Sequence, residues 1–326
     1  SSAPGTPVTL PHDAMLAEER SQTSAGGTNT GWFAGYDYLY EKHFTPDAAQ
    51  AAQCAVLEFE GVYHNAEVHL NGEKIASCPY GYSDFYADLT GKLLPGRDNV
   101  LEVIAHNADQ PNSRWYSGAG IYRPVTLWTA PARHILPDGV QVRTLSNDPA
   151  EVEVTVQTTA SGAVAVAILD GEQTVATAQA ESNGKAVLQV QIPNAKLWSP
   201  DSPALYRCRA MFGDDCAETT FGVRTLSWGD DGFLLNGKRV ILLGACVHHD
   251  HGVLGACCYP EAEERKVRLL QKVGYNAVRC AHNPCSKAFL DACDRLGMLV
   301  MDEYADMWYI HKTQYDYAGY LPDHWR

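Results

Sequence analysis

Between Val240 and Met301, three short apolar runs alternate with two helical stretches, and this rhythm restricts the fold more than any other feature of the 326-residue chain. The runs are Val240-Ile241-Leu242-Leu243-Gly244, Asn276-Ala277-Val278-Arg279-Cys280 and Met298-Leu299-Val300-Met301. Pro260 to Val273 predicts a helix: proline opens it, acids crowd its first turn, Val267, Leu270 and Val273 recur at helical spacing, and Gly274 ends it. Ser286 to Leu296 predicts a second, with Ser286 as N-cap and Gly297 as stop. Strand–helix–strand order requires parallel strands joined by crossover helices.

Polar residues gather after each run. His248 follows the first, Arg279 and His282 the second, and Asp302 and Glu303 the third. In a (β/α)8 barrel the active site lies at those strand ends. Only three such units precede Arg326, and three strands cannot close a barrel. Residues 230–326 therefore read as an incomplete barrel with exposed apolar edges, in a chain expected to associate or to reorganise at its C-terminal part. Tyr304 to Arg326 reads as aromatic and loop-like.

The preceding residues read as all-β. In 1–130, Val56–Val62, Ala66–Leu70, Lys74–Ala76 and Asn99–Ala105 are strand-like, and Asn71-Gly72 is a strong hairpin signal. Many short strands without helical period predict a sandwich or jelly roll. In 131–229, Val152, Val154 and Val156 alternate with polar residues, Val164–Leu169 runs into Asp170-Gly171, and Ala186–Val190 follows. This predicts an immunoglobulin-like β-sandwich without the Cys-Trp-Cys core of antibody domains. Gly232 to Lys238 reads as a hairpin. The fold class is thus multidomain and mainly β: a jelly roll, an immunoglobulin-like sandwich, then the first three units of a truncated barrel.

Charge and composition exclude several functions. The net charge of -14 disfavours nucleic acid and anionic lipid as partners and favours a neutral substrate. No apolar run nears the ~18 residues of a membrane span. Ten cysteines without a CxxC pair argue against a zinc ribbon and for small buried hydrophobes in a reducing compartment, Cys246, Cys280 and Cys293 among them. No signal peptide is visible, but the chain starts at Ser1 rather than methionine; the cytoplasm is favoured, with secretion left open.

Several segments resemble glycoside hydrolase family 2, in order and across the whole chain. They are Arg114-Trp115-Tyr116-Ser117-Gly118-Ala119-Gly120-Ile121-Tyr122-Arg123, Phe221-Gly222-Val223-Arg224, Asn236-Gly237-Lys238, Gly244-Ala245-Cys246-Val247-His248, Arg279-Cys280-Ala281-His282-Asn283-Pro284, Cys293-Asp294-Arg295-Leu296-Gly297 and Met301-Asp302-Glu303. The Arg279 and Asp302 segments look closer to β-galactosidases than to β-glucuronidases or β-mannosidases. The resemblance implies a sugar-binding-like first domain and a retaining β-galactosidase working through two glutamates, an acid/base and a nucleophile. In the family these follow barrel strands four and seven, so both are expected beyond Arg326, with no catalytic residue among the 326 and no turnover by them alone.

By position the resemblance implies that Arg279 and Glu303 hold the nucleophile's charge in place and that His248 and His282 line the sugar site. Trp308 and Arg114 join the substrate-binding candidates, and Trp32 and Trp115 are weaker stacking candidates. Arg114 could instead be a buried ion-pair partner, Asp302 a buried structural carboxylate, and Arg279 and His282 plain loop ties. No cofactor is implied. His248-His249-Asp250-His251 has metal-ligating side chains, but neighbours on an extended chain point apart. Asp306-Met307-Trp308 stands where some members carry a Glu-x-His magnesium site, so no metal is carried over. A carbohydrate of the β-galactoside type is the expected partner, with a homo-oligomer open. A non-catalytic carbohydrate-binding module is the alternative.

Overall fold

The structure is a computed structural model and describes residues 5–320. Residues 321–326, the end of the stretch read as a loop, lie outside the described residues, as do residues 1–4.

The first β-domain contains β1 (Asp37–Phe44), a capped single turn α1 (Ala48–Ala52), β2 (Cys54–Phe59), β3 (Ala66–Leu70), β4 (Glu73–Cys78), β5 (Phe85–Asp88), β6 (Asn99–His106) and β7 (Val125–Ala130). They form two antiparallel sheets, ordered β1-β6-β3-β4 and β5-β2-β7. Leu57 and Phe59 from one sheet meet Val68, Leu70 and Val103 from the other in a shared core. Asn71 and Gly72 both have positive φ and join β3 to β4 in the two-residue turn expected of that pair. The segment before β1 returns along the domain's closing stretch, where the His12 and Ala14 amides donate to the Ile121 and Ala119 carbonyls.

The second domain contains β8 (Ile135–Asn147), β9 (Ala150–Asp170), β10 (Gln173–Gln191), β11 (Tyr206–Phe212) and β12 (Asp215–Phe221). The Val152–Val156 and Val164–Leu169 runs, read separately in the sequence, belong to one strand. β9 pairs with β8 through its first half and with β11 through its second, while β10 follows its whole length. The sheet folds over itself near Gly162 and a bulge at Asn183–Lys185. Val152, Val154 and Val156 then face Val164, Val166 and Ile168 inside one core.

A small sheet of β13 (Leu226–Gly229), β14 (Gly232–Leu235) and β15 (Lys238–Arg239) leads into the barrel units. These are β16 (Gly244–Val247), α2 (Pro260–Lys272), β17 (Ala277–Cys280), α3 (Lys287–Leu296) and β18 (Leu299–Asp302), with β16-β17-β18 parallel. Both helices have the expected ends: Pro260 at the first turn of α2, the Ser286 side chain accepting from the Phe289 amide, and Gly297 in the left-handed region.

Two expectations are corrected. The first barrel strand starts only at Gly244; Ile241, Leu242 and Leu243 lie outside it and are exposed. Gly244 is where β16 presses on its neighbour, since a Cβ there would lie 1.9 Å from the Ala277 carbonyl oxygen. Cys246 is exposed rather than buried. It shares a register row with Arg279 and Met301, and this row faces the concave interior, which three strands leave open. The other face of β17, through Val278 and Cys280, packs on Val267 of α2 and on Phe289 and Cys293 of α3.

The domains are tied at specific points. The Trp198 indole donates to the Asp294 carbonyl at 2.8 Å and packs with Leu235, Ala277 and Leu299 beneath the barrel strands. Arg123 is fully buried; it donates to the carbonyls of Tyr82 and Glu60 in its own domain and of Pro284 in the barrel. Lys287, opening α3, faces Glu58, Asp84 and Asp138, one ammonium bridging three domains.

Candidate active site at the strand ends

Successive residues of a strand point to opposite faces, so β17 turns Arg279 into the open interior and Cys280 away from it. The Arg279 Nε donates to Glu303 Oε1 at 2.9 Å, just past β18. His282, in the loop after β17, places its Nδ1 2.8 Å from the other oxygen, Glu303 Oε2. Neighbouring strand ends thus hold one carboxylate between a guanidinium and an imidazole. All three side chains remain partly exposed to the interior.

His248, just past β16, donates from Nδ1 to the Ala281 carbonyl at 2.6 Å, which leaves Nε2 as an acceptor in the neutral ring. Its ring stacks on Trp115 from the first domain at 4.7 Å, and Trp115 also lies 5.5 Å from the His282 ring. The other histidines of that run diverge. His249 is buried between Tyr82 and Tyr122 and donates from Nε2 to the Ser117 carbonyl, while His251 turns toward Glu263. The three rings therefore do not converge on one point. Burial lowers the His249 pKa to about 4.

The first domain forms a wall of this site. Arg114 packs over the Trp115 ring and pairs with Asp306 through Nε at 2.9 Å and through Nη2. The Asp306 carboxylate is buried, and Lys312 also reaches it at 2.9 Å. Arg114 thus combines both readings of the sequence: it is an ion-pair partner, and it stands at the site. Tyr80 Oη lies 2.7 Å from Asn283 Oδ1 and 2.8 Å from the Tyr304 carbonyl, so the loops after β17 and β18 rest on the first domain. Deeper, Asp13 accepts from the amides of Ala119 and Ala256 and from the Tyr116 hydroxyl.

Of the candidates, Arg279, Glu303, His282 and His248 form one connected group, and Trp115 and Arg114 border it. Trp308 stacks on Tyr304 at 5.5 Å, in the loop after β18. Trp32 sits in the N-terminal segment, where its amide donates to the Gly27 carbonyl. Asp302 is exposed, not a buried carboxylate, and Oδ1 accepts from the Cys285 amide. Sequence reasoning missed Lys312 and the Asp306 ion pair. Asp306 could have been suspected from its place after a barrel strand; nothing marked Lys312.

Family models match the chain in three successive stretches. "Glycosyl hydrolase 2 galactose-binding domain-like" matches residues 9–132, "Glycosyl hydrolases family 2" matches 137–224, and "Glycosyl hydrolases family 2, TIM barrel domain" matches 227–314. The beta-galactosidase BoGH2A of Bacteroides ovatus is 39% identical over 96% of this chain and 39% of its own length. The crystal structure of a glycosyl hydrolase family 2 member from Bacteroides cellulosilyticus superposes with a TM-score of 0.91 at 36% identity, covering 98% of this chain and 44% of that one. A beta-glucuronidase of Faecalibacterium prausnitzii superposes at 0.77 with 30% identity, covering 92% and 55%. The chain thus spans about two fifths of the length of the curated relative.

Proposed function

The chain belongs to glycoside hydrolase family 2, and on that premise we propose that it supplies the sugar-binding-like domain, the sandwich and the first barrel units of a retaining β-glycosidase acting on terminal β-galactosides. The observation that carries this reading is the Arg279–Glu303–His282 group at the ends of two parallel strands, roofed by Trp115 and His248. Flat rings beside fixed donors suit a sugar, whose C–H faces stack on aromatics and whose hydroxyls need directed partners.

In this reading Glu303 is a positioning residue. Arg279 and His282 fix its two oxygens, and the set presents a polarised edge to a catalytic carboxylate from a later strand. His248 turns its Nε2 toward a hydroxyl, and Arg114 holds Trp115 against the ring. Hydrolysis then runs through a glycosyl-enzyme intermediate on one later glutamate, with another protonating the leaving group. The 326 residues alone give no turnover.

The choice of galactoside over glucuronide is supported by the charges at the rim. Arg114 and Lys312 are both committed to Asp306, and Arg279 to Glu303. Among the described residues, these cations already have carboxylate partners, which favours a neutral hexoside over a uronic acid. Nitrophenyl β-galactoside and β-glucuronide should be compared on a polypeptide that continues this chain through a closed barrel. Faster release from the galactoside is expected; faster release from the glucuronide would overturn the specificity, and no release from these or from the nitrophenyl β-mannoside would overturn the glycosidase reading.

A further inference from the structure

Behind the sugar-facing strand ends lies a second cluster that the glycosidase chemistry does not use. β17 ends at Cys280 and β18 at Asp302, and the parallel register sets these residues side by side. Cys280 points toward the helix layer, against Phe289 and Cys293. The loop of residues 281–284 then turns back and places Cys285 directly before the N-cap of α3, with its amide donating to Asp302 Oδ1 at 3.1 Å. The two sulfurs and a carboxylate oxygen of Asp302 all lie within 4.8 Å of one another.

Donors around a tetrahedral zinc ion, with bonds of about 2.3 Å to sulfur and about 2.1 Å to oxygen, stand roughly 3.5–3.8 Å apart. The three groups therefore need to close in by only about 1 Å to share one ion. Two thiolates and a carboxylate select a thiophilic ion over magnesium or calcium.

We propose that Cys280, Cys285 and Asp302 form a binding site for one thiophilic divalent metal ion of the zinc type, with its fourth position open to water. Binding exchanges the two thiol protons for the metal, so up to two protons are released per ion and affinity rises with pH. Cys280 follows Arg279 and Asp302 precedes Glu303, so the ion ties together from behind the two strand ends that carry the proposed sugar site. The site goes beyond the glycosidase reading and can be tested without it.

The test is a titration of the reduced 326-residue chain with cadmium, read by the ultraviolet thiolate-to-cadmium charge-transfer band, with zinc as competitor. The band should saturate at one equivalent and be displaced by zinc. Cys285→Ser should remove most of it and weaken binding by more than roughly tenfold, the low end of what losing even an outer partner costs. Asp302→Asn should keep the band but bind more weakly, and Cys216→Ser, a lone exposed cysteine elsewhere, should change nothing. An unchanged titration in Cys285→Ser would overturn the site. If that variant does not fold, alkylation of the wild-type chain decides: saturating zinc should protect Cys280 and Cys285, as mapped by mass spectrometry, and unchanged alkylation of both would refute it.

Discussion

The indole of Trp115 lies 4.7 Å from the imidazole of His248, with the two planes 19° from parallel. One ring comes from the first β-domain and the other from the end of the first barrel strand, so the candidate sugar site is built across two domains. Arg114 also packs over the Trp115 ring while bonding Asp306 in the barrel. The first domain thus contributes to the wall of the site as well as supporting the barrel from outside.

Trp115→Ala removes the stacking surface and leaves the His248 ring with the Ala281 carbonyl and an edge contact to His282. An aromatic pair contributes about 1 kcal/mol beyond its buried area, so KM for a nitrophenyl β-galactoside should rise roughly fivefold or more in a polypeptide with a closed barrel. Trp115→Phe should recover part of the loss. An unchanged KM in both variants would remove Trp115 from the site.

Arg279→Met leaves Glu303 with His282 as its one remaining partner in this group. A carboxylate released from one of two anchors moves by fractions of an ångström to an ångström, enough to cost on the order of 10²-fold in kcat. The expected signature is a fall in kcat with little change in KM, because the pair positions catalytic groups instead of gripping sugar. A loss confined to KM would reassign Arg279 to substrate binding.

The barrel units were legible because each local signal agreed with its neighbours. Pro260, Ser286, Gly274 and Gly297 punctuate helices whose apolar positions repeat at the right spacing, and the strands between them are short and apolar. The run at Ile241–Leu243 misled for a physical reason. Apolar runs mark burial, but here the strand begins at Gly244, where β16 and β17 approach too closely for a side chain. Cys246 misled similarly, since its apolar setting does not reveal that its row faces an open interior. The Arg279–Glu303 pair was legible as two polar strand ends. Its neighbour Asp306 was not, because the partners that give it meaning, Arg114 and Lys312, lie 192 residues upstream and within an irregular loop.

Lys287 reaches Glu58 of the first domain at short range, Asp84 at 3.1 Å and Asp138 of the sandwich at 2.9 Å. Glu58 is buried and also accepts from the Trp128 indole. The three acids hold the Lys287 ammonium well above the usual lysine range, although its partial burial acts the other way. Lys287→Met leaves these carboxylates facing one another. A broken buried pair costs 3–5 kcal/mol; since Lys287 itself is one-third exposed, about 2 kcal/mol is expected in urea unfolding. The loss should be concentrated in the transition that separates the barrel units from the β-domains. A variant as stable as the parent would show that the three-way contact is a surface pairing of little energetic weight.

Acid should destabilise the fold before it reaches the ordinary carboxylates. Burial lowers the pKa of both His64 and His249 to about 4, against about 6.5 for an exposed imidazole. Between those values the unfolded chain carries two protons that the folded chain refuses, so stability rises with pH through the window and is lost as pH falls through it. Glu263 acts in the same direction lower down: burial pushes it up, but His251 and Lys266 prevail and hold it at about 2, so its contribution is lost as pH drops toward that value. Glu60 opposes them. Burial raises its carboxyl to about 7, so it favours the folded state most below the usual glutamate range and loses that contribution as pH rises through 7. Between about pH 6.5 and 4.5 two imidazoles outweigh one carboxyl, and the melting temperature should fall as pH drops through that window. His249→Gln keeps a donor for the Ser117 carbonyl but cannot titrate, and should remove most of that slope, because one imidazole and one opposing carboxyl then nearly cancel. A melting temperature flat across this range in the parent chain would mean that the buried imidazoles reach water more easily than their packing against Tyr63, Tyr82 and Tyr122 implies.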